Sequence, residues 1–332
     1  MNTDTIAPSQ TSTPDEDLAA QARLEPLETE REANSVLMGG GMVGGAAASG
    51  MVGPQAADSS PSAAADPVRL HIEDSGGSGR PVVLIHGWPL SAEAWAPQQQ
   101  ALQAAGYRVV AYDRRGFGRS DKPAAGYGYD TLADDLQRVL DLCKLQDVTL
   151  VGFSMGGGEV ARYVARFGQS RLHSVVFASA VVPCLMHSAD NPEGPLTPAK
   201  AQKKKQAFEA DREAYFEQFT KNFYAVDGEL QVTESQRGEA LALCRQSAPH
   251  AALACMESFA TTDFRSDLQQ LTLPTLVIHG DADAIVPLEG SGLRTHRAVR
   301  HSTLVTLSGA PHGLNLSHAR GFNDALLSFL RA

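Results

Sequence analysis

The 332-residue chain carries a formal net charge of -10 and is 43% hydrophobic, enough apolar content for a real core. It has no long basic block, which argues against nucleic acid as a partner, because phosphate binding needs a clustered positive face. No apolar run approaches bilayer length, and Cys143, Cys184, Cys244 and Cys255 lack a C-x-x-C spacing, so they read as reduced core thiols and not as a disulfide scaffold or metal site.

Residues 1–66 differ in kind from the rest. They are polar and acidic first, then rich in Gly, Ala, Ser and Pro from Met38 to Ala65, with little to bury. Such a segment cannot offset its ordering entropy and is expected to be a disordered or low-complexity extension. Within it, Leu18 to Val36 reads as a short helix suited to docking on a larger assembly. Gly39, Gly41 and Gly44 spell G-x-G-x-x-G, but no strand precedes them and no amphipathic helix follows, so dinucleotide binding is rejected. Asp4 and Asp15-Glu16-Asp17 stand where a secretory signal would be basic and then apolar, and a cytoplasmic protein is expected.

The globular pattern starts near Val68 with a short strand and the Gly76-Gly77 turn. Pro81-Val82-Val83-Leu84-Ile85 is a continuous apolar run of buried-strand type, ending in His86-Gly87-Trp88-Pro89-Leu90. A loop at the carboxyl end of a parallel strand lies beside the other strand ends, so the Trp88 N–H is a candidate oxyanion donor. His86, immediately at the strand end, reads as a structural ring that braces the loop.

A helix from Ala92 to Ala105 and a strand from Tyr107 to Tyr112 come next, followed by the charged, glycine-rich stretch Asp113 to Ser120. A phosphate cradle would open directly into a helix. This stretch runs on through Pro123 and Gly126 and so reads as an ion-paired structural loop. A helix from Thr131 to Leu142, capped by Asp130, leads to the strand from Val148 to Gly152.

Gly152-Phe153-Ser154-Met155-Gly156 then matches the Gly-x-Ser-x-Gly pattern of a sharp strand-to-helix turn, flanked by a β-branched strand and an amphipathic helix to Phe167. The turn lifts the Ser154 hydroxyl from the top of a sheet. The helix starting beneath it aims the Met155 N–H and a positive helix end at the place where a substrate oxygen would gain charge.

After the strand Leu172 to Ala178, alternation stops. Residues 183–262 read as a Pro/Gly-rich loop and then helices near Ala199–Tyr224, Glu234–Ser247 and His250–Ala260, an all-helical cap with nowhere to go but over the carboxyl edge of the sheet. Its aromatics, Phe208, Phe216, Phe219, Phe223, Tyr224 and Phe259, read mostly as internal packing, with one or two lining a pocket. The run Lys203-Lys204-Lys205 reads as a solvated face.

Alternation resumes with Leu276-Val277-Ile278, an acid turn holding Asp281 and Asp283, a helix, the strand Thr303 to Leu307, the loop Ser308 to Gly313 and a last helix. The repetition predicts a doubly wound, mostly parallel sheet covered on both faces, with residues 67–182 and 263–332 as core and the cap inserted after the sixth strand. Three loops, each after a buried strand, then present Ser154, an acid and His312. Serine near neutral pH needs a base in contact, and the base needs a carboxylate to fix its tautomer.

From Val68 to the C-terminus the sequence resembles the α/β-hydrolase family, and more narrowly its cofactor-free haloperoxidase and aryl esterase branch. The motifs are His86-Gly87-Trp88-Pro89-Leu90-Ser91, the Asp113 to Pro123 loop, Gly152 to Tyr163, Thr262-Asp263-Phe264-Arg265 and Gly309-Ala310-Pro311-His312-Gly313-Leu314. The resemblance implies that Asp283 completes a triad with Ser154 and His312, that Asp281 serves the turn, and that His312 is the base in preference to His279, His301 and His318.

Relatives that open epoxides or remove halide place an aspartate at the elbow, so Ser154 points to acyl transfer. The expectation is a serine hydrolase of small carboxylic esters with no cofactor or metal. A cofactor-free perhydrolase is the alternative, and a non-catalytic sensor a further one. The expected partner is a small ester and neither nucleic acid nor membrane, with self-association left open.

Overall fold

The computed structural model describes residues 68–332, and the expectations for residues 1–66 (an unstructured extension, the Leu18 to Val36 helix, the rejected glycine motif) lie outside the described residues. The chain begins with the short strand β1 (Ile72–Asp74), turns at Gly76 and Gly77, both at positive φ, and enters β2 (Pro81–Ile85). A single turn of tighter helix and α1 (Ala96–Ala104) lead to β3 (Arg108–Tyr112), and α2 (Tyr129–Leu142) leads to β4 (Val148–Phe153). After α3 (Met155–Phe167) comes β5 (Leu172–Ala178).

Four helices follow, α4 (Pro198–Ala210), α5 (Arg212–Tyr224), α6 (Glu234–Arg245) and α7 (Pro249–Thr261), with the two-residue strands β6 (Ala225–Val226) and β7 (Glu229–Leu230) between α5 and α6. The chain returns through α8 (Arg265–Leu268) to β8 (Thr275–Gly280), α9 (Gly292–Ala298) and β9 (Thr303–Leu307), and ends with α10 (Leu314–Ser317) and α11 (Ala319–Arg331).

The main sheet has seven strands in the order β1-β3-β2-β4-β5-β8-β9. All neighbours pair in parallel except β1, which runs antiparallel to β3 at one edge. Every residue of β4 and β8 is buried, as required of central parallel strands covered on both faces, and this explains their mostly apolar sequences. The helices α2 and α3 pack on one another, and α1 packs on α11. Among the described residues no helix is long and apolar enough to cross a membrane.

Four details correct the sequence reading. The helical insertion follows the fifth strand of the sheet and not the sixth, because among the described residues a single short strand precedes β2. It is not all helical: Asp227 (φ 50°) and Gly228 (φ 85°) form the corner of the β6–β7 hairpin. The expected helix Ala199–Tyr224 breaks at Asp211, whose extended backbone ends α4 while its carboxylate caps α5 by accepting from the Ala214 N–H at 2.9 Å. Asp130 does not cap α2. The helix starts at Tyr129 behind Gly128, which places Asp130 in the first turn, paired with Arg162.

Candidate active site

The bend between β4 and α3 can be built from its small residues. A Cβ on Gly152 would lie 2.5 Å from the Gly156 carbonyl oxygen, and one on Gly156 would lie 2.5 Å from that of Ile85, so neither position accepts a side chain. Between them Ser154 sits at φ 53°, ψ -117°, a conformation that L-residues rarely adopt. Its backbone is pinned on both sides. The Ser154 N–H donates to Ala178 O at 2.9 Å, and its carbonyl accepts from Gly157 and Val181, each at 3.1 Å.

The expected residues converge. His312, on the loop between β9 and α10, brings Nε2 to 2.9 Å from Ser154 Oγ and Nδ1 to 2.7 Å from Asp283 Oδ2. The carboxylate can only accept, so Nδ1 carries the hydrogen and Nε2 faces the serine with its lone pair. Asp283 is itself fixed: Oδ1 accepts from the Ile285 and Val286 N–H groups at 3.0 and 2.8 Å. Burial alone would raise its carboxyl, but the facing His312 imidazole and the His279 ring hold it well below the ordinary carboxylate range. The imidazole of His312 lies between Phe153 and Phe223, with ring centroids at 5.3 and 5.0 Å. Its loop is tied to the helical insertion by the Gly313 N–H, which donates to Phe223 O at 2.8 Å.

The Trp88 and Met155 N–H groups find no acceptor among the described residues. Met155 is the first residue of α3 and Trp88 follows β2 on the same sheet edge, so both stand where strand ends gather. The Trp88 side chain was not foreseen. Its indole Nε1 donates to Ala252 O on α7 at 2.9 Å, and its ring meets Phe208, Tyr215, Phe216, Phe219 and Phe259 at centroid distances of 5.2 to 6.3 Å. Trp88, Ser154 and His312 line a cavity of ≈ 1040 Å³. Of the six insertion aromatics singled out in the sequence, Phe219 and Phe259 face it, and Tyr215 joins them.

The other candidates sort as read. His86 is fully buried, with Nδ1 2.8 Å from Gly87 O and Nε2 accepting from the Arg114 N–H at 2.9 Å. Burial and the neighbouring Arg114 charge push it down to about 3, so this ring is neutral. Asp281 accepts from the Gly309 N–H at 2.6 Å and so joins two turns. His301 and His318 contact Leu273 O and Ser317 Oγ.

His279 was discarded as a base, but it does bear on the site. Its Nε2 lies 2.8 Å from Val286 O and 3.4 Å from Asp283 Oδ2. Its only sequence signal is the position four residues before the acid. The Asp113 to Ser120 loop is ion-paired throughout: Asp113 holds Arg119, Arg115 pairs with Asp135, and Arg114 reaches the buried Glu159 on α3. All four cysteines are free thiols, and among the described residues no three His, Cys, Asp or Glu side chains cluster as a metal site would need.

Comparison with known proteins agrees with this geometry. Residues 80–319 match the alpha/beta hydrolase fold. The chain is 38% identical over 268 residues to the non-heme chloroperoxidase CPO-A1 of Kitasatospora aureofaciens, covering 80% of this chain and 97% of that one. It is 34% identical over 272 residues to the bifunctional esterase/perhydrolase DCH of Acinetobacter calcoaceticus, covering 80% and 98%. Among solved structures, bromoperoxidase from Bacillus anthracis superposes with a TM-score of 0.78 at 50% identity, over 80% of this chain and 96% of that one.

Proposed function

The chain belongs to the α/β-hydrolase family, and from that premise we propose that it hydrolyses small aryl or alkyl carboxylic esters through an acyl-enzyme on Ser154. The observation that carries the reading is the hydrogen-bonded line from Ser154 Oγ through His312 to Asp283, opening on the cavity. In the proposed cycle His312 Nε2 takes the serine proton as Oγ attacks the ester carbonyl, and Asp283 holds the ring in the right tautomer and stabilises its positive charge. The Trp88 and Met155 N–H groups receive the developing oxyanion, which fits their lack of another acceptor among the described residues. His312 then protonates the leaving alcohol. Water, deprotonated by the same ring, attacks the acyl carbon, the bond to Oγ breaks, and the acid leaves.

A second activity is supported by the relatives named as chloroperoxidases and as an esterase/perhydrolase. Hydrogen peroxide in place of water attacks the acyl carbon, and the bond to Ser154 Oγ breaks to give a peracid. The peracid then oxidises a halide ion, with one proton consumed, to a hypohalous acid and returns to the carboxylic acid. Purified protein assayed on p-nitrophenyl esters of graded length, with and without peroxide and bromide, tests both activities. Ser154→Ala is expected to lose at least about 10³-fold in kcat on every ester and all peroxide-dependent halogenation. Wild-type turnover in that variant would overturn the proposal.

Within this reading residues 183–262 act as a cap on a core made of 67–182 and 263–332. A cytoplasmic location is supported by the free thiols at all four cysteines. Self-association, and docking through residues 1–66, complete the proposal. Deletion of residues 1–66 should leave ester turnover unchanged and alter only assembly size on a sizing column or location in the cell.

A further inference from the structure

The run Lys203-Lys204-Lys205 of α4 was read as a solvated face, but with Lys200 it also borders the cavity that holds Ser154. Lys200, Lys203 and Lys204 stand at helical spacing on one side of α4, and all three line that cavity together with Lys205. Among the described residues the only carboxylates in the same lining are Asp211 and Glu257, and both are engaged. Asp211 caps α5, and Glu257 lies 3.9 Å from Lys205. Lys200, Lys203 and Lys204 therefore have no carboxylate within ion-pair distance among the described residues.

All three are exposed residues, so they belong to the mouth of the cavity, whereas Ser154 and His312 are buried at its floor. Lys204 is crowded by burial of its surroundings and by the charge of Lys200, and both effects lower its pKa. The wall between floor and mouth is apolar, with Phe219, Leu253, Met256 and Ile285 among its residues. Like charges left together at the rim of an apolar channel, on a chain of net charge -10, form a local site for an anion.

We propose that Lys200, Lys203 and Lys204 bind a carboxylate carried by the ester substrate on an apolar arm that reaches from the scissile bond to the cavity mouth. The proposal deepens the ester-hydrolase reading and rests on it. The class of substrate is then a half-ester or an acylated hydroxy acid, with a hydrocarbon spacer between the reacting carbonyl and the anion.

The test uses the full chain and two graded series. In one the carboxylate ends the acyl arm (mono-p-nitrophenyl esters of dicarboxylic acids from adipic acid upward). In the other it ends the alcohol arm (acetyl esters of ω-hydroxy acids, followed by acid release). Each is paired with a neutral ester of equal length. The readout is the ratio of kcat/KM for the charged ester to that for its neutral partner.

In one series the ratio is expected to rise by about three- to tenfold once the spacer is long enough to reach the lysines, and to fall back in 0.5 M salt as charges are screened (about the size of a few exposed ion-pair contacts). That gain should disappear in Lys200→Gln/Lys203→Gln/Lys204→Gln and return in the corresponding triple arginine variant. A ratio independent of length in both series, or unmoved by the glutamine variant, would overturn the lysine site. Full turnover of neutral esters by Ser154→Ala would instead overturn the underlying esterase reading.

Discussion

The backbone of Ser154 makes a prediction that separates stored strain from chemistry. Its φ of 53° and ψ of -117° match the first corner of a type II′ turn, a position that belongs to glycine. Holding an L-residue there costs on the order of 1 to 3 kcal/mol, with a position reserved for glycine toward the upper end. Ser154→Ala and Ser154→Gly remove the same hydroxyl and the same contact with His312, so they differ only in the Cβ.

Glycine relieves the strain but gives back about 0.4 to 1 kcal/mol through greater freedom of the unfolded chain, and about 0.8 kcal/mol through loss of one buried carbon. The balance leaves Ser154→Gly more stable than Ser154→Ala by about 1 kcal/mol. For a domain of this size that corresponds to a difference in Tm of about 2 to 4 °C. Thermal and urea unfolding of the two inactive variants measure it directly. An alanine variant as stable as the glycine variant, or more so, would show that the elbow stores no strain and that the argument from φ and ψ is wrong.

Other consequences can be measured as readily. Because His86 stays neutral in the folded chain down to about 3, its contribution to stability is complete above the unfolded value near 6.5. It is lost as pH falls from there toward 3, by up to about 1.4 kcal/mol per pH unit. Urea midpoints between pH 7 and 4 should show that slope, and His86→Gln should flatten it; an equal slope in the variant would count against the neutral ring. Asp283→Asn is expected to fold normally and to lose about 10⁴-fold in kcat with KM little changed, since the ring would lose its fixed tautomer. A loss under tenfold would remove Asp283 from the mechanism. Glu159→Gln leaves the buried Arg114 without its counter-charge and should cost about 3 to 5 kcal/mol by urea titration. Arg166→Gln, which breaks an exposed pair with Asp134, should cost less than about 1 kcal/mol.

What could be read from the chain alone follows from how local the governing physics is. The elbow was legible because its requirements, two glycines where no Cβ fits and a serine between them, lie within five residues. The meeting of Ser154, an acid of the turn after β8 and His312 was legible because the carboxyl ends of parallel strands share one edge, which fixes where their loops must gather; the choice of Asp283 over Asp281 came from the family resemblance. The start of α2 was misjudged because Asp130 is a good cap by residue type, yet Tyr129 packs inward and the helix starts two residues earlier. The β6–β7 hairpin was missed although Asp227-Gly228 is a strong corner signal, because only two residues flank it on each side and no alternation develops. The indole contacts of Trp88 and the approach of His279 to Asp283 depend on tertiary packing, and no spacing rule announces them.

Trp88 joins two parts of the molecule in one residue, with its main chain at the sheet edge and its ring set among the aromatics of the insertion. Substitutions in that insertion made to change which molecules are admitted will therefore also tilt the indole and, through it, an amide beside the nucleophile. If the Trp88 amide takes its proposed place in the oxyanion hole, selectivity and turnover are then mechanically geared together. Libraries built on Phe208, Phe216 or Phe219 should yield variants that trade one against the other, and more independent tuning should come from cavity positions outside that aromatic cluster, such as Ile285 and Met186.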